Sequence, residues 1–308
     1  MSRLISSPAR RATAVAGREE GPLAPRTLEV ITADRVRLAL LEYAPKVRRA
    51  APILLTHGTF SNGNVCTRLA AYLATHGFPC WVLELRGHGA SDGRDRPAIF
   101  EDFGRLDVPA AVDAVRAIAQ TDRLFLLGHS GGGLAFLMYL ARHPEMAQRV
   151  AGVVTLASQA TAAGLGWHGL RTIFKIAAAN NLGTRVRQRL RLGPEQEYRG
   201  VVNQWFEWNL RRQWRGRDGL DYLGALGTVR TPALCFAGAG DVEIAPVEGC
   251  RAVFDALGSA DKSLIVCGRA QGFVEDYDHA RIVASRGSRQ EIWPRILAWL
   301  QERTPPRV

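Results

Sequence analysis

Residues 123–134 read Arg-Leu-Phe-Leu-Leu-Gly-His-Ser-Gly-Gly-Gly-Leu, and the fold hinges on this stretch. Leu124–Leu127 is a short apolar run, the pattern of a strand buried on both faces. It stops at Gly128-His129-Ser130-Gly131-Gly132, and an amphipathic run from Leu134 to Leu140 comes next with helical spacing. A serine in a G-x-S-x-G turn between a strand and a helix is held out at the end of the sheet on a tight, strained backbone. Gly128 and Gly132 leave room for strand and helix to meet, and the Gly131 N–H faces a reacting carbonyl. The plain alternative is a glycine-rich turn that happens to contain a serine. The strand before it and the helix after it favour Ser130 as a nucleophile.

On either side the same rhythm recurs. Leu28–Ile31 and Val36–Tyr43 alternate around Ala33-Asp34 and predict an antiparallel edge hairpin. Ala51–Thr56 predicts a central strand ending at His57-Gly58-Thr59-Phe60, with a helix over 63–75 behind it. Phe78–Leu85 predicts the next central strand, running into Arg86-Gly87-His88-Gly89-Ala90-Ser91-Asp92. Residues 103–120 predict a helix with Leu106, Val108, Val112, Val115 and Ile118 on one face. Val150–Ala157, Pro232–Gly238 and Lys262–Gly268 predict further strands, with helices over 247–257 and 292–303. Strands alternating with helices imply a mostly parallel sheet covered on both faces, whose ligands bind beyond the carboxyl ends of the strands. The rhythm breaks over 161–229, where arginines crowd in and four of the chain's seven tryptophans fall. That segment reads as a helical cap inserted into a core of 26–160 and 230–308, and residues 1–25 read as a mobile tail.

Composition bounds the class. A chain of 308 residues with 47% hydrophobic content can bury a full core. Net charge is +11, and only three of 40 basic residues are lysine. A solvated basic surface is the preferred reading; weak association with an anionic membrane surface is the sharper one. No motif supports specific nucleic-acid binding. Five scattered cysteines without a C-x-x-C pair read as reduced core residues of a cytoplasmic protein, not as a metal site. No apolar stretch is long enough to span a bilayer.

A serine hydroxyl needs a histidine to take its proton and an acid to orient that histidine. With the serine on such a turn, the chain order is serine, acid, histidine. His168 and His279 are the histidines that come after the Ser130 helix. His168 lies in the cap segment, whereas His279 lies in a loop opening at the carboxyl end of the sheet, so His279 is the candidate base. Asp241, just past the strand ending at Gly238, is the candidate acid, ahead of Glu243. Asp276 and Asp278 are too close to His279 in sequence. Gly131 N–H supplies one oxyanion donor; Thr59 N–H is the first choice for the second and Phe60 N–H the next. His57 and His88 read as structural. Phe60, His129, Trp167, Trp205 and Trp208 are candidate substrate contacts, as are Phe206 and Trp214, with tryptophans that merely pin the cap as the even alternative.

Leu54–Thr59, Leu83–Asp92, Gly128–Gly132, Gly238–Asp241 and Asp278-His279, in this order, resemble the α/β-hydrolase superfamily in its lipase and esterase branch. The resemblance spans about residues 28–303. It implies the α/β-hydrolase fold, a Ser130–His279–Asp241 triad, no cofactor, and acyl transfer from a small apolar ester. Acyltransferases, thioesterases and carbon–carbon bond hydrolases share that arrangement, and so does a non-catalytic ligand-binding relative. Gly131 departs from a family position often filled by Met or Gln, which predicts a missing pocket wall there. Substrate, chain length and oligomeric state are not legible.

Overall fold

Leu124–His129 forms β5, with all six residues buried. Alternate side chains serve opposite faces: Leu124 and Leu126 join one core cluster, Phe125 and Leu127 the other. The computed structural model describes residues 25–163 and 193–304. The predicted tail, apart from residue 25, lies outside them. Among the described residues, β1 (Arg26–Ile31), β2 (Arg37–Tyr43), β3 (Ile53–Thr56), β4 (Cys80–Leu83), β5, β6 (Val150–Leu156), β7 (Ala233–Gly238) and β8 (Lys262–Cys267) form one sheet. Its order is β1-β2-β4-β3-β5-β6-β7-β8. The β1–β2 and β2–β4 pairs are antiparallel and the rest are parallel. This is the predicted mostly parallel sheet with its edge hairpin, and β3, β5 and β7 deliver their loops to one side.

Helix α1 (Asn64–Thr75) covers one face. On the other face the predicted helix over 103–120 differs from expectation. It begins as α2 (Phe100–Asp102), widens into a π-helical turn over Phe103–Asp107, and continues as α3 (Val108–Ala119). Ile118, at the edge of the face that buries Val108, Val112 and Val115, is 42% exposed instead of packed. The widened turn carries Asp107 inward. Its buried carboxylate accepts the Arg86 N–H at 2.9 Å and Nε at 2.8 Å, while the Arg86 guanidinium also reaches Asp34 at 2.8 and 3.0 Å. A buried arginine demands such partners.

Helix α4 (Gly131–Arg142) comes directly after β5. The insertion between β6 and β7 contributes α5 (Arg199–Arg211) and α6 (Tyr222–Leu226) among the described residues. It is tied to the core by the buried Glu101 carboxylate. That group accepts from Arg142 (2.8 Å), Tyr222 Oη (2.7 Å), Gln204 (2.8 Å) and the Arg217 N–H (2.7 Å). Helix α7 (Val247–Ala256) separates β7 from β8, and α8 (Arg281–Ala284) precedes α9 (Arg286–Glu302). The last helix starts six residues before the predicted position, because Ser285 caps it by accepting the Ser288 N–H at 3.0 Å. All five cysteines are free and buried, as predicted. No helix among the described residues is long and apolar enough to cross a membrane.

Candidate active site

The turn after β5 concentrates its strain on Ser130, at φ 53° and ψ −121°. A non-glycine residue there costs on the order of 1–3 kcal/mol and persists only where its surroundings enforce it. Here the Ser130 N–H donates to the Leu156 carbonyl at 2.8 Å, and the Ser158 hydroxyl donates to the Ser130 carbonyl at 2.9 Å. The flanking glycines are required by contact: a Cβ on Gly128 would lie 2.4 Å from the Gly133 nitrogen, and one on Gly132 2.4 Å from the His57 carbonyl.

The three residues singled out for proton transfer meet. His279 Nε2 lies 2.8 Å from Ser130 Oγ, and His279 Nδ1 lies 2.5 Å from Asp241 Oδ2. Asp241 follows β7 after a turn and is 4% exposed, so its carboxylate needs partners. Burial opposes its ionisation, but His279 and the N–H groups of Ile244 and Ala245 more than offset this and hold its pKa below the ordinary value. The carboxylate can only accept, so Nδ1 carries the hydrogen and Nε2 presents a lone pair to the serine hydroxyl. The rival acids are occupied elsewhere. Asp276 accepts the Arg269 N–H at 2.8 Å, Asp278 accepts those of Ala280 and Arg281 at 3.0 and 2.8 Å, and Glu243 is exposed.

Gly131 opens α4, so its N–H has no intrahelical acceptor. A Cβ built on Gly131 would lie 3.3 Å from the Thr59 nitrogen, so the two N–H groups share one corner beside Ser130. Phe60 N–H is engaged: it donates to Glu197 Oε2 at 3.2 Å. Of the two N–H groups predicted for the loop after β3, Thr59 is therefore the one available. The predicted gap at Gly131 is filled, because Phe100 Cζ and Thr59 Cγ2 each stand 3.1 Å from where its Cβ would be.

His57 and His129 brace this site as neutral rings. His57 Nε2 accepts the Leu85 N–H at 3.2 Å and its Nδ1–H meets the Gly58 carbonyl at 2.8 Å. Burial and the nearby His88 ring push its pKa down to about 3. His129 Nε2–H donates to the His279 carbonyl at 2.8 Å, fixing the loop that carries His279. Burial, with His279 alongside, lowers its pKa to about 3 as well.

A cavity of about 220 Å³ opens on Ser130, His279, Gly131 and Thr59. Its walls are largely apolar, from Phe60, Phe100, Leu134, Val201, Val202 and Trp205. Of the candidate substrate contacts, Phe60, His129 and Trp205 line the cavity. Trp208 does not: it is 2% exposed, packs tilted against the Phe100 ring with centroids 5.1 Å apart, and donates its indole N–H to the Arg215 carbonyl at 2.7 Å. Trp214 packs 6.1 Å behind it. Both pin the insertion to the core. Phe206 packs against Trp205 outside the cavity wall. Trp167 and His168 lie outside the described residues. Phe100, Val201, Val202 and Glu197 were not singled out from the sequence. The first three share helical apolar patterns with many core residues, and Glu197 sits in a polar run that reads as surface. Among the described residues, no group of three His, Cys, Asp or Glu side chains is placed to hold a metal ion.

A family model described as alpha/beta hydrolase fold matches residues 51–281. The chain is 31% identical over 137 residues to triacylglycerol lipase 1 of Arabidopsis thaliana, covering 39% of this chain and 34% of that protein. It is 33% identical over 112 residues to probable esterase PIR7A of Oryza sativa subsp. indica, covering 36% of this chain and 40% of that protein. The match spans between a third and two fifths of the length of these relatives. Among solved structures, a thermophilic esterase from Thermogutta terrifontis superposes with a TM-score of 0.63 at 17% identity, over 91% of this chain and 100% of that one. The Paleococcus ferrophilus monoacylglycerol lipase superposes with a TM-score of 0.62 at 19% identity, over 86% and 99%. At these identities the superpositions concern the fold.

Proposed function

Given that this chain belongs to the alpha/beta hydrolase fold family, we propose that it is a serine hydrolase that cleaves carboxylic esters through an acyl-enzyme. The observation that carries this reading is the continuous hydrogen-bonded line from Ser130 Oγ through His279 to Asp241, at 2.8 and 2.5 Å, at the mouth of an apolar cavity. The esterase and lipase names of the partial relatives support it.

In the proposed reaction Ser130 Oγ attacks the ester carbonyl carbon as its proton passes to His279 Nε2. The carbonyl oxygen becomes an oxyanion that accepts from the Gly131 and Thr59 N–H groups. Asp241 stabilises the imidazolium and holds Nδ1–H in place. His279 then gives its proton to the leaving alkoxyl oxygen, the C–O bond breaks, and the acyl group stays on Ser130. Water, deprotonated by His279, attacks the acyl carbon; the bond from that carbon to Ser130 Oγ then breaks as His279 returns its proton to Oγ, releasing the acid and the free serine. Each preorganised N–H is worth about 10²–10³ in kcat where charge develops in a water-poor site. No step calls on a cofactor.

The substrate is a small apolar ester whose acyl part lies against Phe100, Leu134, Val201, Val202 and Trp205. Segment 161–229 is the cap that supplies the last three of these walls. Fluorophosphonate labelling beside a p-nitrophenyl ester series of increasing acyl length, for wild type and Ser130→Ala, tests the reading. Labelling and turnover lost together in the mutant are expected. Undiminished ester hydrolysis by Ser130→Ala would sink it.

A further inference from the structure

The backbone at Phe60 is held in an unusual way. Its φ is 59°, a left-handed conformation that costs a bulky residue energy. It is enforced from the insertion and not from the sheet. The Glu195 N–H donates to the Phe60 carbonyl at 3.1 Å, and the Phe60 N–H donates to Glu197 Oε2 at 3.2 Å. Gly193 lies flat on the same peptide: a Cβ there would stand 2.1 Å from the Phe60 oxygen. Both polar groups of Phe60 are therefore satisfied by residues 193–197, more than 130 positions away in the chain.

The two acids of this strap are anchored in turn to the loops after β3 and β4. Glu195 accepts from Asn62 at 2.8 Å, bonds Arg94, and takes the Gly89 N–H at 3.4 Å. Glu197 is 3% exposed, accepts the Tyr198 N–H at 2.9 Å, and lies 3.2 Å from His88 Nε2. His88 is fully buried and its Nδ1 faces the Arg86 carbonyl at 2.8 Å, which can only accept. Nδ1 therefore carries a hydrogen. Burial alone would lower the His88 pKa, but the Glu197 carboxylate more than offsets it, and the net direction is upward.

We propose that Glu197 is a positioning residue for the oxyanion site: its carboxylate, braced by His88, holds the Phe60 peptide so that the adjoining Thr59 N–H points at the reacting carbonyl. This rests on the serine-hydrolase reading above. Thr59 and Phe60 are consecutive, so a rotation of the Phe60 backbone swings the Thr59 peptide with it. The donor site is in this way completed by the inserted segment, not by the core alone.

The test compares wild type, Ser130→Ala, Glu197→Ala and Glu197→Gln in p-nitrophenyl butyrate hydrolysis, fluorophosphonate labelling rate and thermal unfolding. Glu197→Ala is expected to lower kcat about tenfold or more, with KM within about twofold, because a misaimed donor forfeits part of the 10²–10³ that one N–H supplies. The labelling rate falls in parallel. Glu197→Gln keeps an oxygen for the Phe60 N–H and is expected to return to within about threefold of wild type. Should the alanine variant not fold, Glu197→Asp carries the test. It draws the carboxylate back by one methylene, and about fivefold lower kcat at unchanged KM is expected. A folded Glu197→Ala or Glu197→Asp protein with wild-type kcat overturns the positioning role alone, as does a glutamine variant no better than alanine at equal thermal stability. A wild-type protein that neither labels nor hydrolyses overturns the hydrolase reading and this role with it.

Discussion

Gly58 sits under the side chain of Ser130, and adding one methyl there is a sharp perturbation. A Cβ on Gly58 would lie 2.6 Å from Ser130 Cβ, 3.1 Å from Ser130 Oγ and 3.2 Å from the His129 carbonyl. Carbon atoms pack at about 3.5–4.0 Å, so the two β-carbons must separate by about 1 Å. Neither is the free end of a flexible chain. Ser130 is held by its bonds to Leu156 and Ser158, and Gly58 by its carbonyl bond to the buried His57 ring. Whichever side yields, a reacting group moves: Ser130 Oγ on one side, the Thr59 N–H on the other. A 1 Å displacement of a catalytic group costs about 10²-fold in rate, or about 2.7 kcal/mol of barrier. Overpacking adds about 1–3 kcal/mol of destabilisation. Gly58→Ala is thus expected to fold, to melt at lower temperature, and to lose about two orders of magnitude in kcat/KM on p-nitrophenyl butyrate. The assay is steady-state hydrolysis beside circular dichroism and thermal melts. A folded Gly58→Ala protein within threefold of wild-type kcat/KM would refute the reasoning.

Three further outcomes are expected. Asp241→Asn leaves the fold intact but lets the His279 ring take the wrong tautomer, and kcat drops by about 10³–10⁴-fold; single-turnover acylation measures it, and a loss below tenfold contradicts the assigned orientation. Trp208→Ala and Trp205→Ala separate core from cavity: the first costs about 3–5 kcal/mol in urea unfolding, whereas the second raises KM for longer acyl esters at little cost in stability, and reversed effects would show the two tryptophans misassigned. His57 and His129 each have a folded pKa of about 3, below the unfolded value of 6.5, so their stability contribution is complete above about pH 6.5 and is lost as pH falls towards 3. Each uncompensated proton is worth about 1.36 kcal/mol per pH unit. His88, with its pKa raised, has the opposite sign; it is protonated in both states below its unfolded value and adds no slope there. Urea unfolding is therefore expected to lose about 2 kcal/mol between pH 6 and pH 5, and equal stability at the two pH values would contradict neutral, buried rings at 57 and 129.

The strand pattern and the local chemistry at strand ends were legible because both are written at short range. An apolar run of four to eight residues bounded by turn residues fits a strand buried on both faces, and in a parallel sheet its carboxyl end faces the ligand side. Ser130, Asp241 and Thr59 can therefore be placed from their own neighbours in sequence, and His279 from the requirement that a base reach the same edge. Periodicity also supplied the hairpin of β1 and β2 and the break at 161. It could not reveal contacts between distant segments. Asp107 lies inward in the widened turn, where its partner is Arg86, 21 residues earlier. Trp205 and Trp208 share one helix, and only the position of Phe100 decides which of them faces the cavity. Glu197 looks like solvated charge in a polar run and Glu101 like one more helix carboxylate, yet each is buried at a junction of three segments. Burial of a carboxylate depends on whether donors from elsewhere in the chain converge on it. Convergence across more than 100 residues is a property of the folded chain. Local pattern was enough for the sheet and for naming Ser130, His279 and Asp241, whose side chains meet in one hydrogen-bonded line. Which backbone N–H stands free beside that line was settled only by folding, because Glu197, arriving from the insertion, takes the other.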